Sequence, residues 1–318
     1  MRNGDHQDCE KLDALDKALL DESVDPVDLP FSLLKLVTQD FSEAREIGRG
    51  GFGAVYKGVL PSGSTVAVKK LFESFQILDK NFRSEIACLM GVKHKNIVRF
   101  VGYCSDTQHV IRPYDGKLVW AEVRQRLLCY EYLHKGCLAD YLSDASCRPM
   151  WTIDYQIIKG ICEGVHYLHQ HRIIHMDLKP QNILLDDNIV PRLIDFGLSR
   201  RLDESKSRAI TISTVGTRGY MAPEFIDDGE ITFKTDIYSL GIIIMEILTR
   251  RKKRSNLKEV VECWMNKFGA SESQTTLNQV KVQPLTSKHI HSNSNYIVIS
   301  ANLVFIFIAN KLCLQAQQ

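Results

Sequence analysis

The chain has 318 residues, of which 44% are hydrophobic and 25% are charged, a composition typical of a globular protein. Its length could hold one large domain or two lobes. A formal net charge of +2 at pH 7 gives no electrostatic argument for a nucleic-acid partner. The nine cysteines are scattered and odd in number, which favours free thiols in a reducing compartment over a disulfide framework or a zinc site.

The first forty residues form an acidic segment with few aromatic side chains. No apolar run follows the initial methionine, so a secretory signal peptide is not expected. The composition predicts a mobile arm over residues 1–30, with some helix around Lys11 to Leu20. Between Leu29 and Phe41 the apolar residues recur near helical spacing, which indicates a short amphipathic stretch.

From Ala44 the pattern changes to short alternating runs that are typical of β-strands. They read R-E-I-G, A-V-Y-K-G-V-L and, after a P-S-G-S turn, T-V-A-V-K-K-L. A helix is expected from about Lys80 to Met90, and further strands over Ile97 to Tyr103 and Leu127 to Tyr132. The polar residues 105–126 between these two strands predict an extended hairpin or loop.

Helical patterns dominate from Leu138 onward. They cover Leu138 to Leu142, Trp151 to Gln170 and Phe233 to Thr249. The chain therefore divides into a small strand-rich half and a larger helical half.

The C-terminal end differs in style from the rest of the chain, because it is rich in Ser, Asn and Gln and has no helical period. Its apolar run at 296–309 contains Ser300 and Asn302 and is shorter than the roughly 20 residues of a membrane-spanning helix. A buried segment or a non-native tail is the favoured interpretation, and a membrane anchor is the alternative.

The segment I-G-R-G-G-F-G-A-V carries three glycines in a G-x-G-x-x-G pattern, at Gly48, Gly50 and Gly53. Because glycine has no Cβ, the backbone N–H groups of such a loop can approach phosphate oxygens closely. A dinucleotide-binding turn would need a helix next, whereas a strand follows here, so that interpretation fails. A plain glycine hairpin is the structural alternative.

Lys69 ends the strand pattern V-A-V-K and lies on the strand face opposite Val68. An amine at this position can neutralise phosphate oxygens, although a single strand lysine is more often a solvated surface residue. Glu85 follows in a predicted helix, at the margin of an apolar face that includes Ile86 and Leu89. It is either a solvated glutamate or an ion-pair partner of Lys69; Asp79 is a poor substitute because it is expected to precede the helix.

The most informative stretch reads I-H-M-D-L-K-P-Q-N-I-L-L-D and then L-I-D-F-G. It contains Asp177, Lys179, Asn182 and Asp195 in that order. Two carboxylates, an amine and an amide suit the binding of a magnesium nucleotide beside a hydroxyl that must lose a proton. The alternative, a polar turn between two apolar strands, does not explain why all four residues occur together. His175 is expected to be a packed structural residue.

Two more motifs follow: G-T-R-G-Y-M-A-P-E, which ends at Glu224, and D-I-Y-S-L-G, which starts at Asp236. The residues between D-F-G and A-P-E are rich in charge and hydroxyls, which is ordinary for an exposed loop. Asp236 near a helix start has a simple interpretation as a cap.

Taken in order from Ile47 to about Met265, these motifs resemble the catalytic domain of protein kinases. The H-K-N-I-V at His94, the G-Y-C at Gly102, the Y-L-H at Tyr167 and a tyrosine at the gatekeeper position, Tyr130, are similar to plant receptor-like kinases. The chain contains no recognisable receptor ectodomain, so it looks like a receptor-like cytoplasmic serine/threonine kinase.

The resemblance implies an α+β, two-lobed fold with a small antiparallel β-sheet N-lobe, one main N-lobe helix and a larger, mainly helical C-lobe. On this interpretation residues 1–40 are the acidic arm, 41–133 the N-lobe and hinge, 134–282 an incomplete C-lobe, and 283–318 an atypical tail.

The resemblance also assigns roles. Asp177 would accept the substrate proton, Lys179 would contact the transferred phosphoryl group, and Lys69 would pair with Glu85. Thr217 would contact Asp177 and Lys179, and Asp236 would anchor the catalytic-loop backbone. The cofactors are ATP, and Mg²⁺ held by Asn182 and Asp195. The nucleotide contacts would be Gly48, Gly50, Gly53, Val55, Ala67, Lys69, Tyr130, Glu131, Leu133 and Asp140.

Protein substrates are the expected partners, together with a receptor or receptor-like kinase and no nucleic acid. The expected location is the cytoplasm, with membrane association through the apolar run as the alternative.

The chain departs from the family at two places. Met176 stands where many kinases have an arginine that receives the activation-segment phosphate, and a thioether cannot do so. The family arginine that pairs with the glutamate matching Glu224 has no counterpart, because the last arginine here is Arg254. The sequence therefore predicts lower stability than for a complete kinase, and the alternative function is a kinase-like binding protein without efficient turnover.

Overall fold

The computed structural model describes residues 3–72, 78–144, 150–203, 205–212 and 214–250. The predicted boundary at residue 282, the tail 283–318 and its apolar run lie outside the described residues. The chain divides into two compact units, Met1–His134 and Lys135–Gln318.

Unit 1 is built on a six-stranded sheet of order β1-β5-β8-β4-β3-β2, in which only the β1–β5 pair is parallel. Its elements are α1 Asn3–Leu20, β1 Val27–Asp28, α2 Phe31–Val37, β2 Glu46–Arg49, β3 Gly53–Val59, β4 Thr65–Leu71, α3 Leu78–Leu89, β5 Phe100–Cys104, β6 Thr107–Tyr114, β7 Lys117–Arg124 and β8 Leu127–Glu131. The fully antiparallel sheet that the sequence predicts is thus extended by one short parallel strand from the N-terminal segment.

The strand register sorts the side chains of this sheet onto two faces. Val55 lies opposite Lys69, and Ala67 lies opposite Tyr130, so these four residues share one face. The alternate positions of the same strands point to the other face, which is apolar. That face includes Val66, Val68, Cys104, Leu127 and Cys129, all fully buried.

The N-terminal segment covers the apolar face of the sheet. Leu15 and Ala18 of α1, with Leu33 and Leu34 of α2, belong to the same buried cluster as the sheet residues. The mobile arm that the acidic composition predicted is therefore wrong for this part of the chain. The reason is that an apolar sheet face needs a covering layer, and the few apolar side chains of α1 and α2 supply it.

An aromatic group fixes the end of this segment to the sheet. The rings of Phe31 and Phe41 stack with centroids 5.6 Å apart, and Phe41 meets Tyr56 of β3 edge-on at 5.4 Å. The ammonium group of Lys70 lies 4.4 Å from the centroid of the Phe41 ring, which is cation–π distance. Lys69 and Lys70 thus serve opposite faces of one strand.

Strands β6 and β7 form a separate two-stranded ribbon, as the sequence predicted for residues 105–126. Asp115 and Gly116 turn the ribbon, both with positive φ, which is the conformation that tight hairpin turns require. Ile111 pairs with Trp120 on one face, and Leu118 and Trp120 are 76% and 72% exposed. At the base of the ribbon, Arg124 and Arg126 bond the carboxylate of Asp79, which is in the first turn of α3.

Unit 2 contains α4 Leu138–Ser143, α5 Trp151–Gln170, β9 Ile173–Ile174, β10 Ile183–Leu185, β11 Pro191–Leu193, β12 Arg200–Arg201, β13 Ala209–Ile210, α6 Pro223–Asp228, β14 Glu230–Ile231 and α7 Phe233–Thr249. Helices α5 and α7 have the bounds that the sequence predicted. Pairs of short strands, β9–β12, β10–β11 and β13–β14, connect the loops around them. No helix within the described ranges is long and apolar enough to cross a membrane.

Candidate active site

Lys69 and Glu85 form a buried ion pair in unit 1. The Nζ of Lys69 lies 3.1 Å from Oε1 and 3.3 Å from Oε2 of Glu85. Glu85 is 1% exposed, so the alternative of a solvated glutamate is wrong. The helix begins at Leu78, earlier than expected, so Asp79 does not precede it. Its carboxylate is instead held by the two arginines of the ribbon base.

Tyr130 is a third member of this group, which the sequence did not predict. Its hydroxyl donates a hydrogen bond of 2.8 Å to Oε1 of Glu85, and the side chain is buried. The bond follows from the register, because Tyr130 lies opposite Ala67, a small residue two positions from Lys69 on the same face. Glu85 therefore accepts bonds from two donors, which offsets the cost of burying its charge.

The three glycines of the loop are accommodated for different structural reasons. A Cβ on Gly53 would lie 2.4 Å from the carbonyl oxygen of Lys70, so the close approach of β3 to β4 requires glycine there. Gly48 and Gly50 have open space where a Cβ would be. The N–H of Gly50 bonds the carbonyl of Gly53 at 2.9 Å and closes the turn. Glycines 48 and 50 thus leave room beside the backbone that a phosphate could use.

The predicted hinge starts at the end of β8. The N–H of Glu131 donates to the carbonyl of Arg99 at 3.0 Å, and its carboxylate accepts from the N–H of Arg99 at 2.8 Å. Within the described part of the chain, the backbone N–H and C=O of Leu133 have no hydrogen-bond partner. A donor and an acceptor on one residue, two positions beyond the strand, match the edge of a purine base.

Asp140 lies near the start of unit 2 and is exposed. Its Oδ2 accepts from the N–H of Cys137 at 3.2 Å and lies 3.0 Å from Sγ of the same residue, so it caps α4. One carboxylate oxygen therefore has a structural role in addition to the ribose contact that the resemblance implies.

In unit 2 the β10–β11 pair brings two distant motif residues to one end of a ribbon. Ile183 pairs with Leu193, so Asn182, which precedes β10, lies beside Ile194, and the N–H of Ile194 donates to the carbonyl of Asn182 at 3.0 Å. Asp195 comes next, with a positive φ of 72°. Aspartate adopts this left-handed conformation more readily than most other non-glycine residues.

Asp177 is the centre of a small hydrogen-bonded group. Its Oδ2 accepts from Nζ of Lys179 at 2.6 Å and from the amide of Asn182 at 3.0 Å. Its Oδ1 accepts from the hydroxyl of Thr217 at 2.7 Å, and Lys179 also bonds that hydroxyl at 2.9 Å. The contact of Thr217 with both residues is the one that the sequence analysis expected. The carboxylate is thereby fixed in orientation, with a cation beside it.

Asp236 anchors the loop that carries Asp177. The carboxylate of Asp236 is fully buried and accepts from the backbone N–H of His175 at 2.8 Å and of Met176 at 2.9 Å. It also lies 2.9 Å from Nε2 of His169. The anchoring role predicted for Asp236 is confirmed, and the simpler interpretation as a helix cap does not describe these contacts. His175 is buried and bonds the carbonyl of Ile194 at 3.1 Å, as expected of a structural histidine.

Sequence reasoning missed a contact on the same helix. The phenol of Tyr220 lies 3.0 Å from both carboxylate oxygens of Glu246, and the hydroxyl of Ser239 donates to the carbonyl of Tyr220 at 2.7 Å. Burial, together with the charge of Glu246, raises the pKa of Tyr220. An isolated carboxylate in the apolar run G-I-I-I-M-E-I-L was the only signal in the sequence. The N–H of Tyr220 in turn bonds the carbonyl of Thr217 at 3.1 Å.

Asn182 and Asp195 offer hard oxygen ligands of the kind that Mg²⁺ binds together with phosphates and water. Within the ranges that the structure describes, no three His, Cys, Asp or Glu side chains cluster in a way that could hold a metal. A cation that completes its shell with ligand oxygens fits this donor set, and a structural zinc ion does not.

The two units supply complementary chemistry. Unit 1 presents a fixed ammonium group beside a glycine turn, which suits phosphate oxygens. Unit 2 presents an oriented carboxylate with a neighbouring lysine, which suits removal of a proton from a hydroxyl, and an amide and a carboxylate that suit a hard cation.

Comparison with known proteins agrees with this chemistry. A family model described as the protein kinase domain matches residues 41–301. It begins where the strand-rich pattern starts, and it continues past residue 282, where the sequence pattern predicted the resemblance to end.

Individual relatives are plant proteins of Arabidopsis thaliana. The chain is 38% identical over 232 residues to cysteine-rich receptor-like protein kinase 29. The aligned region covers 71% of this chain and 32% of that protein. It is 37% identical over 262 residues to cysteine-rich receptor-like protein kinase 28, covering 77% and 36%. A G-type lectin S-receptor-like serine/threonine-protein kinase is 38% identical over 230 residues, covering 71% and 26%. The chain spans about a third or less of the length of these relatives.

Proposed function

Because the chain belongs to the protein kinase family, we propose that it transfers the γ-phosphoryl group of Mg²⁺-ATP to serine and threonine hydroxyls of protein substrates. The observation that carries the proposal is the orientation of Asp177 by Lys179, Asn182 and Thr217. Three donors fix the orientation of this carboxylate, so its remaining lone pairs point in a defined direction. A base that accepts a proton from a substrate hydroxyl needs such a fixed orientation.

In the proposed reaction, the substrate hydroxyl gives its proton to Asp177 as its oxygen attacks the γ-phosphorus of ATP. The bond between the γ-phosphorus and the β–γ bridging oxygen breaks, and ADP leaves with that oxygen. Lys179 lies beside Asp177 and offsets the negative charge of the transferred group. Lys69, kept in place by Glu85, holds the α- and β-phosphate oxygens of the nucleotide.

Asn182 and Asp195 would hold Mg²⁺, which when bound neutralises charge on the phosphate oxygens. The amide of Asn182 also donates to the backbone carbonyl of Asp177 at 2.9 Å, so the same side chain orients the base. The choice of Mg²⁺ over other divalent ions rests on the oxygen character of these ligands.

The remaining nucleotide contacts are proposed from their placement. Val55 and Ala67 share the strand face of Lys69 and offer apolar surface to a base, next to Tyr130. Leu133 offers a backbone donor and acceptor, and Glu131 is the neighbouring hinge residue proposed to contact the base. Gly48, Gly50 and Gly53 form the turn proposed for the phosphates, and Asp140 is the residue proposed for the ribose.

Specificity for serine and threonine is proposed from Lys179, which the resemblance associates with serine/threonine kinases, and from one relative that is named a serine/threonine-protein kinase. Relatives named receptor-like kinases suggest that the chain acts on the cytosolic side in receptor-linked signalling, with a receptor or receptor-like kinase as partner. No feature of the described residues favours turnover-free binding over catalysis.

The test is phosphate transfer from radiolabelled ATP to a generic protein substrate by the full chain, followed by analysis of the labelled amino acids. Asp177→Asn should lower kcat by about 10³-fold, in the range for loss of a general base, with ATP binding retained. Asp187→Asn, a change of the same kind at an exposed aspartate eight residues before Asp195, is the matched control and should leave kcat unchanged.

Label on tyrosine alone would reject the proposed specificity. Absence of any transfer by a wild-type protein that binds ATP would reject catalysis, and equal rates for Asp177→Asn and wild type would reject the role of Asp177. Chelation of divalent ions should abolish transfer, and Mg²⁺ should restore it.

A further inference from the structure

Arg172 binds the backbone of the segment that runs from Asp195 to Glu224, here called the activation segment. Its Nε lies 3.4 Å from the carbonyl oxygen of Leu202, and its Nη2 donates to the carbonyl of Asp203 at 2.9 Å. The same Nη2 also donates to the carbonyl of Lys206. One guanidinium group thus reaches three carbonyls of the activation segment.

The main chain around Arg172 adds to this grip. The N–H of Leu202 donates to the carbonyl of Arg172 at 2.8 Å, and strand β12 of the activation segment pairs with β9, which directly follows Arg172. Arg172 has a positive φ of 60°, a conformation that a non-glycine residue adopts at a cost. Its guanidinium carbon lies 5.7 Å from the centroid of the Phe233 ring, at the start of α7.

The later part of the activation segment is also held by its backbone. Strand β13 pairs with β14, and the N–H of Thr211 donates to the carbonyl of Gly229 at 3.0 Å. A Cβ on Gly229 would lie 2.0 Å from the carbonyl oxygen of Thr211, and Gly229 has φ of 65°. Glycine is therefore required where the two strands meet.

Met176 also lies in an apolar environment near the activation segment. It is buried in one cluster with Leu202, Met221 and Phe225. Leu202 is thus held by packing in the apolar cluster that includes Met176 and by the contact of its carbonyl oxygen with Arg172, and neither interaction needs a phosphate.

We propose that Arg172 is a positioning residue that orders the activation segment through its carbonyl oxygens, so that the segment is held without phosphorylation. The inference rests on the proposed function and names a means of regulation for the same site. Backbone carbonyls are present whatever the phosphorylation state of the segment, and a guanidinium group donates to several of them at once in a fixed geometry. The arginine that holds the segment comes four residues before Met176, in the turn ahead of β9.

The test uses the full chain after complete dephosphorylation, with Arg172→Gln compared with wild type. The expected results are a drop of at least tenfold in kcat/KM for a protein substrate, unchanged ATP binding, and at least fivefold faster proteolytic cleavage within residues 200–212. Arg201→Gln is the matched control, since Arg201 is an exposed arginine of the same segment and should change none of the three.

Two outcomes would overturn the proposal. One is an Arg172→Gln variant with wild-type protease resistance and kcat/KM. The other is a wild-type protein whose kcat/KM rises more than tenfold on phosphorylation of the activation segment. If Arg172→Gln does not fold, Arg172→Lys is the second variant, because it keeps the charge but lacks the planar guanidinium group that donates to several carbonyls. Protease cleavage of this variant should still be faster than that of wild type. Unchanged cleavage counts against the proposal. Protease resistance needs no catalysis, so this readout stands even if wild type transfers no phosphate and the proposed function fails.

Discussion

Glu85 accepts hydrogen bonds from two side chains on different strands, Lys69 of β4 and Tyr130 of β8. A buried carboxylate with a single partner would be fixed along one line only. Two donors that approach Oε1 from neighbouring strands restrict its rotation as well. Tyr130 therefore adds stability to the carboxylate that pairs with Lys69, and the ion pair itself does not require the Tyr130 hydroxyl.

Removing this hydroxyl should be measurable. Tyr130→Phe deletes one bond to a buried charged acceptor, so the free energy of unfolding should fall by about 1.5–3 kcal/mol. Because the Lys69–Glu85 ion pair stays, the KM for ATP should change less than about threefold. Chemical denaturation and steady-state kinetics measure the two quantities.

The control for this substitution is Tyr132→Phe, two residues further along the chain and just beyond the end of β8. The Tyr132 ring packs against Lys57 and His134, and its hydroxyl has no partner in the part of the chain that the structure describes. Tyr132→Phe should lower the free energy of unfolding by less than about 0.5 kcal/mol. Equal losses for the two variants would contradict the role given to the Tyr130 hydroxyl.

Much of the residue-scale picture follows from the linear motifs. Lys69, Glu85, Asp177, Asn182 and Asp195 were found because their types and spacing are characteristic. The Tyr130–Glu85 bond could not be predicted, because it depends on the register of β8 against β4 and on the rotation of α3. The burial of Glu85 was missed for the same reason.

At the scale of elements, α7 positions both sides of the candidate base. Its residues Asp236, Ser239 and Glu246 form a polar row on an otherwise apolar helix, at spacings that return to nearly the same face. Asp236 binds the backbone just before Asp177. Ser239 and Glu246 bind Tyr220. The N–H of Tyr220 in turn bonds the carbonyl of Thr217 and closes the turn there. One rigid helix therefore aligns the base and the threonine that contacts it.

Tyr220→Phe should remove the hydrogen bonds to Glu246 and so loosen the contact between α7 and the turn that contains Thr217. We expect kcat to fall about fivefold to tenfold with little change in the KM for ATP, since the nucleotide contacts proposed for unit 1 are not altered. The raised pKa keeps the phenol protonated in the fold, so the stabilising bond is fully present below the ordinary tyrosine range and is lost only as pH rises through the raised value.

The ratio of wild-type to variant kcat should therefore be the same at pH 7 and pH 9. Tyr155→Phe, the same chemical change on α5, is the control and should leave kcat unchanged. A ratio that disappears at pH 9, or a loss seen only in KM, would contradict the assignment.

Sequence patterns predicted the long helices well and the interrupted elements poorly. Helices α5 and α7 are long apolar-periodic runs, and their ends agree with the prediction. The start of α3 was missed because Asp79 is stabilised there by Arg126, which lies 47 positions further along the chain. The two-residue strand β1 has no sequence signal of its own and exists because β5 offers it an edge.

At the scale of the whole molecule, the N-terminal segment is part of the core of unit 1. The family match begins at residue 41, whereas buried contacts with the sheet begin by Leu15. Removing the segment would expose the aliphatic side chains that it covers. Each fully exposed side chain would cost about 1.5–3 kcal/mol of stabilising free energy.

Deletion of residues 1–40 should thus lower the melting temperature by more than about 10 °C and expose apolar surface to a hydrophobic dye. Deletion of residues 1–7 is the control, since it ends well before Leu15, and it should shift the melting temperature by less than about 2 °C. Scanning fluorimetry and size-exclusion chromatography measure the effect. A shortened protein that melts like the full chain would show that α1 and α2 are dispensable.

The β6–β7 ribbon has a practical consequence for experiments in solution. The chain has three tryptophans, and Trp120 on this ribbon is 72% exposed to water. Its indole should emit at long wavelength and be accessible to dissolved quenchers such as iodide. Any molecule that covers the ribbon would shield this fluorophore, so the native protein carries an intrinsic optical reporter for contacts at that surface without an attached dye.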